Sequence, residues 1–161
     1  MDLAEREILG YLSTGLGAAI TTYYQGEVIL PPKLNLPCLM VFGSNAEISA
    51  RDTKNDQIVY RMNVRIIVNL ENYISTSAPT GNVIQAQKAL RDLMEGRNAD
   101  GTYMSASVLG VLRSNAKLHG TYYYYSGNVR TTYKTVQGKQ FPYVVADMVF
   151  DATSELIARP A

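Results

Sequence analysis

The residues of this chain that could do chemistry are few. There is one histidine, His119, and one cysteine, Cys38. A lone imidazole can neither assemble a histidine-based zinc site nor pass a proton to a second ring. His119 stands beside Gly120 in a polar stretch and reads as a solvated loop residue. Cys38 lies in the apolar run Leu36–Phe42, far in sequence from His119, which suits a buried, inert thiol better than a nucleophile. Asp147 and Asp151 fall on one face of an expected strand, a spacing that acid/base catalysis can use, although outward acids more often serve solubility. No Gly-x-Ser-x-Gly, no phosphate-binding Gly-rich loop ending in Lys-Thr and no Gly-x-Gly-x-x-Gly occurs. The expectation is a protein without catalytic residues, metal or cofactor.

Two further groups are better suited to binding. Tyr122, Tyr123, Tyr124 and Tyr125 are consecutive, so in an extended chain alternate rings face opposite ways. Stacking on nucleic-acid bases would need cations beside them, and only Lys117 and Arg130 are near. A patch packed on a neighbouring subunit fits the run better. Arg61 and Arg65, with Asn63 and Asn69, form the polar face of an expected long strand. In a monomer they would be an ordinary wet face; in a ring they could line a channel or pair with Asp147 and Asp151 of the same or a neighbouring sheet.

The elements that must position these residues can be read from hydrophobic periodicity. Leu3, Ala4, Ile8, Tyr11, Leu12 and Leu16 recur at steps of three and four, predicting an amphipathic helix that Gly15 and Gly17 end. Ile20 to Leu30 reads as a short strand or hairpin about Gln25-Gly26. Pro31, Pro32 and Pro37 then enforce an extended connection. Cys38–Ile48 is expected to be a strand interrupted at Gly43-Ser44-Asn45, and Arg51–Asp56 an exposed hairpin loop. Ile58, Tyr60, Met62, Val64, Ile66, Val68 and Leu70 hold every even position of the next stretch, opposite Arg61, Asn63, Arg65 and Asn69. That alternation predicts a long antiparallel strand with one face buried.

Beyond the Tyr73–Gly81 loop, Asn82 caps a second helix that Gly96 stops. Met104–Leu112 alternates like a strand, and Arg130–Val136 and Phe141–Ala152 read as two strands joined across Gln137-Gly138-Lys139. The whole is one α+β domain over residues 1–161: an antiparallel or mixed sheet with two main helices on one face. Two helices cover one sheet face, so the other must meet water or a partner.

Composition narrows the partners. The 161 residues carry 15 basic and 14 acidic side chains, a formal charge of +1 with no basic run, which argues against sequence-specific nucleic-acid binding. Only 18% of residues are charged while 12 are tyrosine, so the polar surface is neutral and aromatic, suited to protein contact. A single cysteine excludes an internal disulfide framework. No apolar run approaches the roughly 20 residues that span a bilayer, and the N-terminal stretch lacks an apolar signal core. A protein made in a cytoplasm, without membrane contact, is expected.

The order of these parts resembles the tail terminator proteins of tailed bacteriophages, also called tail completion or tail-to-head joining proteins. The parts are an N-terminal amphipathic helix, a proline-marked entry (Leu30-Pro31-Pro32 to Leu36-Pro37-Cys38), a polar hairpin loop before the strand Ile58–Leu70, and the helix Asn82–Glu95 before returning strands. The likeness is one of layout over nearly the whole chain. It implies a virion structural protein that forms a hexameric ring at the neck, capping the tail tube and meeting the head connector, with DNA passing through the hole. It implies no catalytic residues. Candidate contacts are Arg51, Asp52 and Lys54 in the hairpin loop, Tyr73, and Tyr122 to Tyr125; Arg61, Arg65, Asp147 and Asp151 are candidates for the channel or polar face. Two other readings stay open: another neck, head-completion, sheath or baseplate subunit, and a small-ligand-binding α+β module.

Overall fold

A computed structural model describes residues 2–50, 55–73, 82–115 and 124–157. The elements in chain order are α1 (Asp2–Leu16), β1 (Thr22–Gln25), β2 (Cys38–Ala50), β3 (Asn55–Asn69), α2 (Val83–Glu95), α3 (Val108–Ser114), β4 (Tyr124–Gln137) and β5 (Pro142–Ile157). The strands form a five-stranded mixed sheet in the order β1-β2-β3-β5-β4, with β1 parallel to β2 and every other pair antiparallel. This is an α+β fold.

The long strand forms as its alternation predicts. Met62, Val64 and Ile66 on β3 are fully buried and meet Phe150, Met148 and Ala146 across β5. Onto this face α1 lays Ala4, Ile8 and Leu12, and α2 lays Ala86, Leu90 and Met94, all fully buried. Burying the larger of these side chains, the Val, Ile, Leu, Met and Phe, stabilises the fold by roughly 1.5–3 kcal/mol each. Asn82 caps α2 as expected, its side-chain oxygen accepting from Gln85 N at 3.0 Å, and Gly96 closes the helix with its N–H to Asp92 O. Gly17, at φ 53°, follows the end of α1 in the left-handed region that glycine enters without strain.

Four expectations need correction. Met104–Leu112 is not a strand: Ser107 caps the short helix α3, accepting from Gly110 N at 3.0 Å, and Val108 to Leu112 are all buried. A helix buried on every side has no polar face, so its period cannot be read. With α3 added to α1 and α2, the main core is covered by three helices, not two. Gly15 does not end α1 but lies inside it, where an added Cβ would sit 2.3 Å from Val111 Cγ2. Its role is to let α1 approach α3.

The Cys38 strand is also continuous, with a register shift between Gly43 and Asn45 where an interruption was expected. Ser44 is the extra residue of this bulge, and Asn63 Nδ2 donates to Ser44 Oγ at 3.1 Å across it.

The second sheet face is partly covered by the chain itself. The segment from Gly26 to Pro37 folds over one corner and closes a small second core of Leu36, Cys38, Met40, Ile67 and Phe141. Hydrogen bonds hold this segment: Asn35 Nδ2 to the Tyr24 hydroxyl at 2.7 Å, and an ion pair between Lys33 and Glu71.

Candidate functional site

The part of the second sheet face left open by the Gly26–Pro37 segment carries the charged residues singled out in the sequence. Strand alternation puts Arg61, Asn63 and Arg65 of β3 on this face, and register sets Arg61 opposite Asp151 and Arg65 opposite Asp147. Arg65 Nε donates to Asp147 Oδ1 at 2.7 Å, and Arg61 Nε reaches Asp151 Oδ1 at 3.4 Å. These side chains pair with Asp147 and Asp151 of the same sheet, which is compatible with either a wet face or a channel wall.

Arg65 is the hub. Its Nη1 donates to Glu27 Oε1 at 2.7 Å, and its guanidinium lies 5.1 Å over the Phe42 ring. Burial acts against its charge, but the hydrogen bonds to Asp147 and Glu27 outweigh that and hold it above its ordinary pKa. The cation thus ties the covering segment to the sheet through Glu27. Two carboxylates sharing one arginine leave it little capacity to hold a further anion. β4 extends the same face with Arg130, Thr132 and Lys134, which stand opposite Val149, Asp147 and Val145. Arg61, Asn128, Val129, Arg130, Val149 and Asp151 surround a shallow open hollow at its upper end.

Cys38 is fully buried in the second core, and burial pushes its thiol up to about 11. At neutral pH it is protonated and no nucleophile. His119 lies outside the described residues. Among the described residues, no three His, Cys, Asp or Glu side chains gather as metal ligands would, and no helix is long and apolar enough to cross a membrane.

The tyrosine candidates divide. Tyr73 ends a 3-10 turn from Leu70 and packs, partly buried, against the main core, where burial raises its pKa. Its carbonyl accepts from Asn82 N at 3.1 Å, so it anchors the start of α2. Tyr124 and Tyr125 begin β4, opposite Thr153 and Ala152 of β5. Arg51, Asp52, Lys54, Tyr122 and Tyr123 lie outside the described residues.

Three polar contacts were not anticipated from the sequence. Besides Glu27, Glu5 of α1 accepts from Gly43 N at 2.7 Å, on the outer edge of β2. Tyr133 of β4 donates to Glu95 Oε1 of α2 at 3.0 Å, with Arg91 stacked 5.4 Å from its ring; burial, then Glu95, raises the phenol's pKa. Each joins residues 38 apart in sequence, beyond the reach of local periodicity.

The sheet's edges complete the geometry. β1 covers only Cys38–Val41 of β2, and Ser44–Ala50 beyond it are all exposed, including Ile48 at 65%. At the other side β4 is the last strand of the sheet among the described residues. No family model matches the chain, and no curated protein matches it either.

Proposed function

We propose that this protein is a virion structural subunit of the tail terminator type: it closes into a ring, hexameric by the likeness of its layout, that caps the tail tube of a phage and joins it to the head connector. The observation that carries this reading is the one-sided clothing of the sheet. Three helices cover one face, while the part of the other left open by the Gly26–Pro37 segment is polar, with Arg61 and Arg65 held in ion pairs. With the helices outside and this face inside, Arg61 and Arg65 would line the hole already paired to Asp151 and Asp147. Such a wall is wet but does not grip phosphate, which suits a passage through which DNA must slide.

The two edges left unpaired among the described residues favour assembly as well. Unpaired strand edges are templates for further strands, and a closed ring removes them. A working role of this kind needs no catalytic group, in keeping with the protonated, buried Cys38.

The test is assembly with the tail tube protein of the same phage. Added to growing tubes, the protein is expected to stop elongation and to appear in electron micrographs as a ring at one tube end. Tubes that lengthen unchecked in its presence would overturn the reading. A ring that binds the connector without stopping growth would move the assignment to another neck component. A stable monomer that instead takes up a small molecule would move it to a binding module.

A further inference from the structure

Among the described residues the sheet's edges are unpaired at β4 and at Asn45–Ala50 of β2, and four features select one pairing between copies of this chain. We propose that the outer edge of β4 in one copy hydrogen-bonds, antiparallel, to the Asn45–Ala50 edge of β2 in the next, with Glu47 opposite Lys134. The proposal rests on the ring reading and states how the ring closes.

The first feature is direction. β2 and β5 run one way and β3 and β4 the other. Copies related by rotation about an axis along the strands keep these directions, so β4 meets the next β2 antiparallel.

The second is face. Past the bulge, Asn45, Glu47 and Ser49 lie opposite Arg61, Val59 and Gln57, on the open side of the sheet. On β4 the open side is held by Arg130, Thr132 and Lys134. A continuous sheet keeps like faces together, so Glu47 must meet one of these three.

The third is hydrogen-bond polarity. Val41 O and Gly43 N point outward from β2, to Gly26 and Glu5. Antiparallel alternation carried through the observed register then leaves Ala46, Ile48 and Ala50 with outward amides and carbonyls. Continued through β3 and β5, it leaves Thr131, Tyr133 and Thr135 outward on β4. Both sets lie on the helix side of the sheet, so matching the faces also matches donors to acceptors.

The fourth is register. Setting Glu47 against Arg130 would run Ser49 and Ala50 past Val129 into the irregular Tyr125/Val129 step of β4. Setting it against Thr132 gives the carboxylate no cation. Against Lys134, all of Asn45–Ala50 faces regular β4, Glu47 meets a cation, and the exposed Ile48 meets Tyr133. Gln137, the end of β4, then falls opposite Ser44, clear of β1, which stops at Gln25 opposite Val41. The incoming β4 and the resident β1 share the β2 edge end to end.

Cross-strand cysteines in the full-length protein test this. Ser49 and Thr132 would be a non-hydrogen-bonded pair with Cα atoms about 4.5 Å apart, within reach of a disulfide. Within one copy β3 and β5 separate them, so any bridge joins two copies, and Cys38 is buried away from both. Oxidised S49C/T132C protein is expected to give a covalent ladder of oligomers on a non-reducing gel. The displaced pair N45C/T132C should give at least about ten-fold less, from the roughly 13 Å offset of four strand residues. E47K and K134E should each weaken association, and together restore it.

An oligomer by light scattering that yields no ladder, or a stronger ladder from the displaced pair, would overturn the edge pairing and leave the ring standing. Protein that stays monomeric up to its solubility limit would overturn both.

Discussion

Arg65 and Asp147 face each other across β3 and β5, with Arg65 Nε donating to Asp147 Oδ1 at 2.7 Å, while the same guanidinium reaches Glu27 on the covering segment. Four positions along, Arg61 and Asp151 repeat the arrangement at 3.4 Å, and among the described residues no second carboxylate pairs with this arginine. Of the two arginine side chains, that of Arg65 is 24% exposed and that of Arg61 58%. One pair is therefore a structural clamp and the other closer to an ordinary surface contact.

The difference should be measurable. Exposed ion pairs typically couple by about 0.2–1 kcal/mol, and shielded ones with a second acceptor by more. A double-mutant cycle by urea unfolding, with R65M and D147N, is expected to give a coupling energy near 1 kcal/mol. The R61M and D151N cycle should give less than half of that. R65M should also loosen the covering segment, seen as faster amide exchange at Val28, whose N–H points to Met40 Sδ. Equal coupling in the two cycles would show that Glu27 adds nothing.

Cys38 makes a prediction with a defined sign. Its thiol ionises near 9 when exposed and near 11 when folded, because burial opposes the thiolate. A raised folded pKa contributes stability that is complete below the unfolded value and is lost as pH climbs through the folded one. Between pH 9 and 11 the unfolded chain releases a proton that the native chain keeps, so stability falls. A shift of this size corresponds to on the order of 2–3 kcal/mol. Subtracting the pH profile of C38A from that of the parent isolates the effect from tyrosine and lysine titration. A flat difference across this window would contradict the assigned burial. Thiol labelling at pH 8 should likewise be slow in native protein and immediate in denaturant.

What the sequence made legible, and what it hid, follows from where each signal resides. Alternation along Ile58–Leu70 was readable because one face of β3 is packed by helices and the other is largely polar, so burial writes itself into a period of two. From the same rule Arg61, Arg65, Asp147 and Asp151 could be placed on sheet faces, though not in register, because β3 and β5 are joined by no turn and Arg65 and Asp147 lie 82 residues apart in the chain. The helix α3 was hidden because Val108 to Leu112 are buried on all sides. Ser105 and Ser107, which mimicked an alternating strand, serve the loop and the cap. Glu27 could not be matched to Arg65 because its position depends on the path of the whole Gly26–Pro37 segment across the sheet. Tyr73 was read as a loop residue, and its inward packing arises from the 3-10 turn that follows β3.

The cap of α3 is a direct check on that reassignment. Ser107 is fully buried, accepts from Gly110 N at 3.0 Å and donates to Met104 O at 2.8 Å. S107A removes both contacts, leaving the buried Gly110 amide without its partner while Met104 O keeps the Ser107 N–H at 3.1 Å. A loss of about 1–2 kcal/mol is expected from urea unfolding, in the range of strong N-caps. S105A, on an exposed residue nearby, should change stability by no more than about 0.5 kcal/mol. Were this stretch a strand with both serines on its polar side, the two substitutions would have similar, small effects.

The glycines of α1 allow a sharper comparison, since two of them lie in the same helix with different surroundings. A Cβ added at Gly10 meets nothing within 4 Å, whereas one at Gly15 would lie 2.3 Å from Val111 Cγ2. Replacing glycine by alanine inside a helix ordinarily stabilises by up to about 1 kcal/mol, since it removes backbone freedom from the unfolded chain. G10A is therefore expected to raise stability by roughly 0.5–1 kcal/mol. G15A must push α3 away from α1 or force Val111 off its rotamer, and overpacking of this kind costs about 1–3 kcal/mol. The net effect of G15A should be destabilising despite the better helix former. V111A opens space at the contact, so the double variant G15A/V111A should be more stable than the sum of the two single changes predicts, with coupling above about 0.5 kcal/mol. Thermal unfolding of the four variants decides it. Equal gains from G10A and G15A would mean that α1 and α3 do not approach as closely as Gly15 and Val111 indicate.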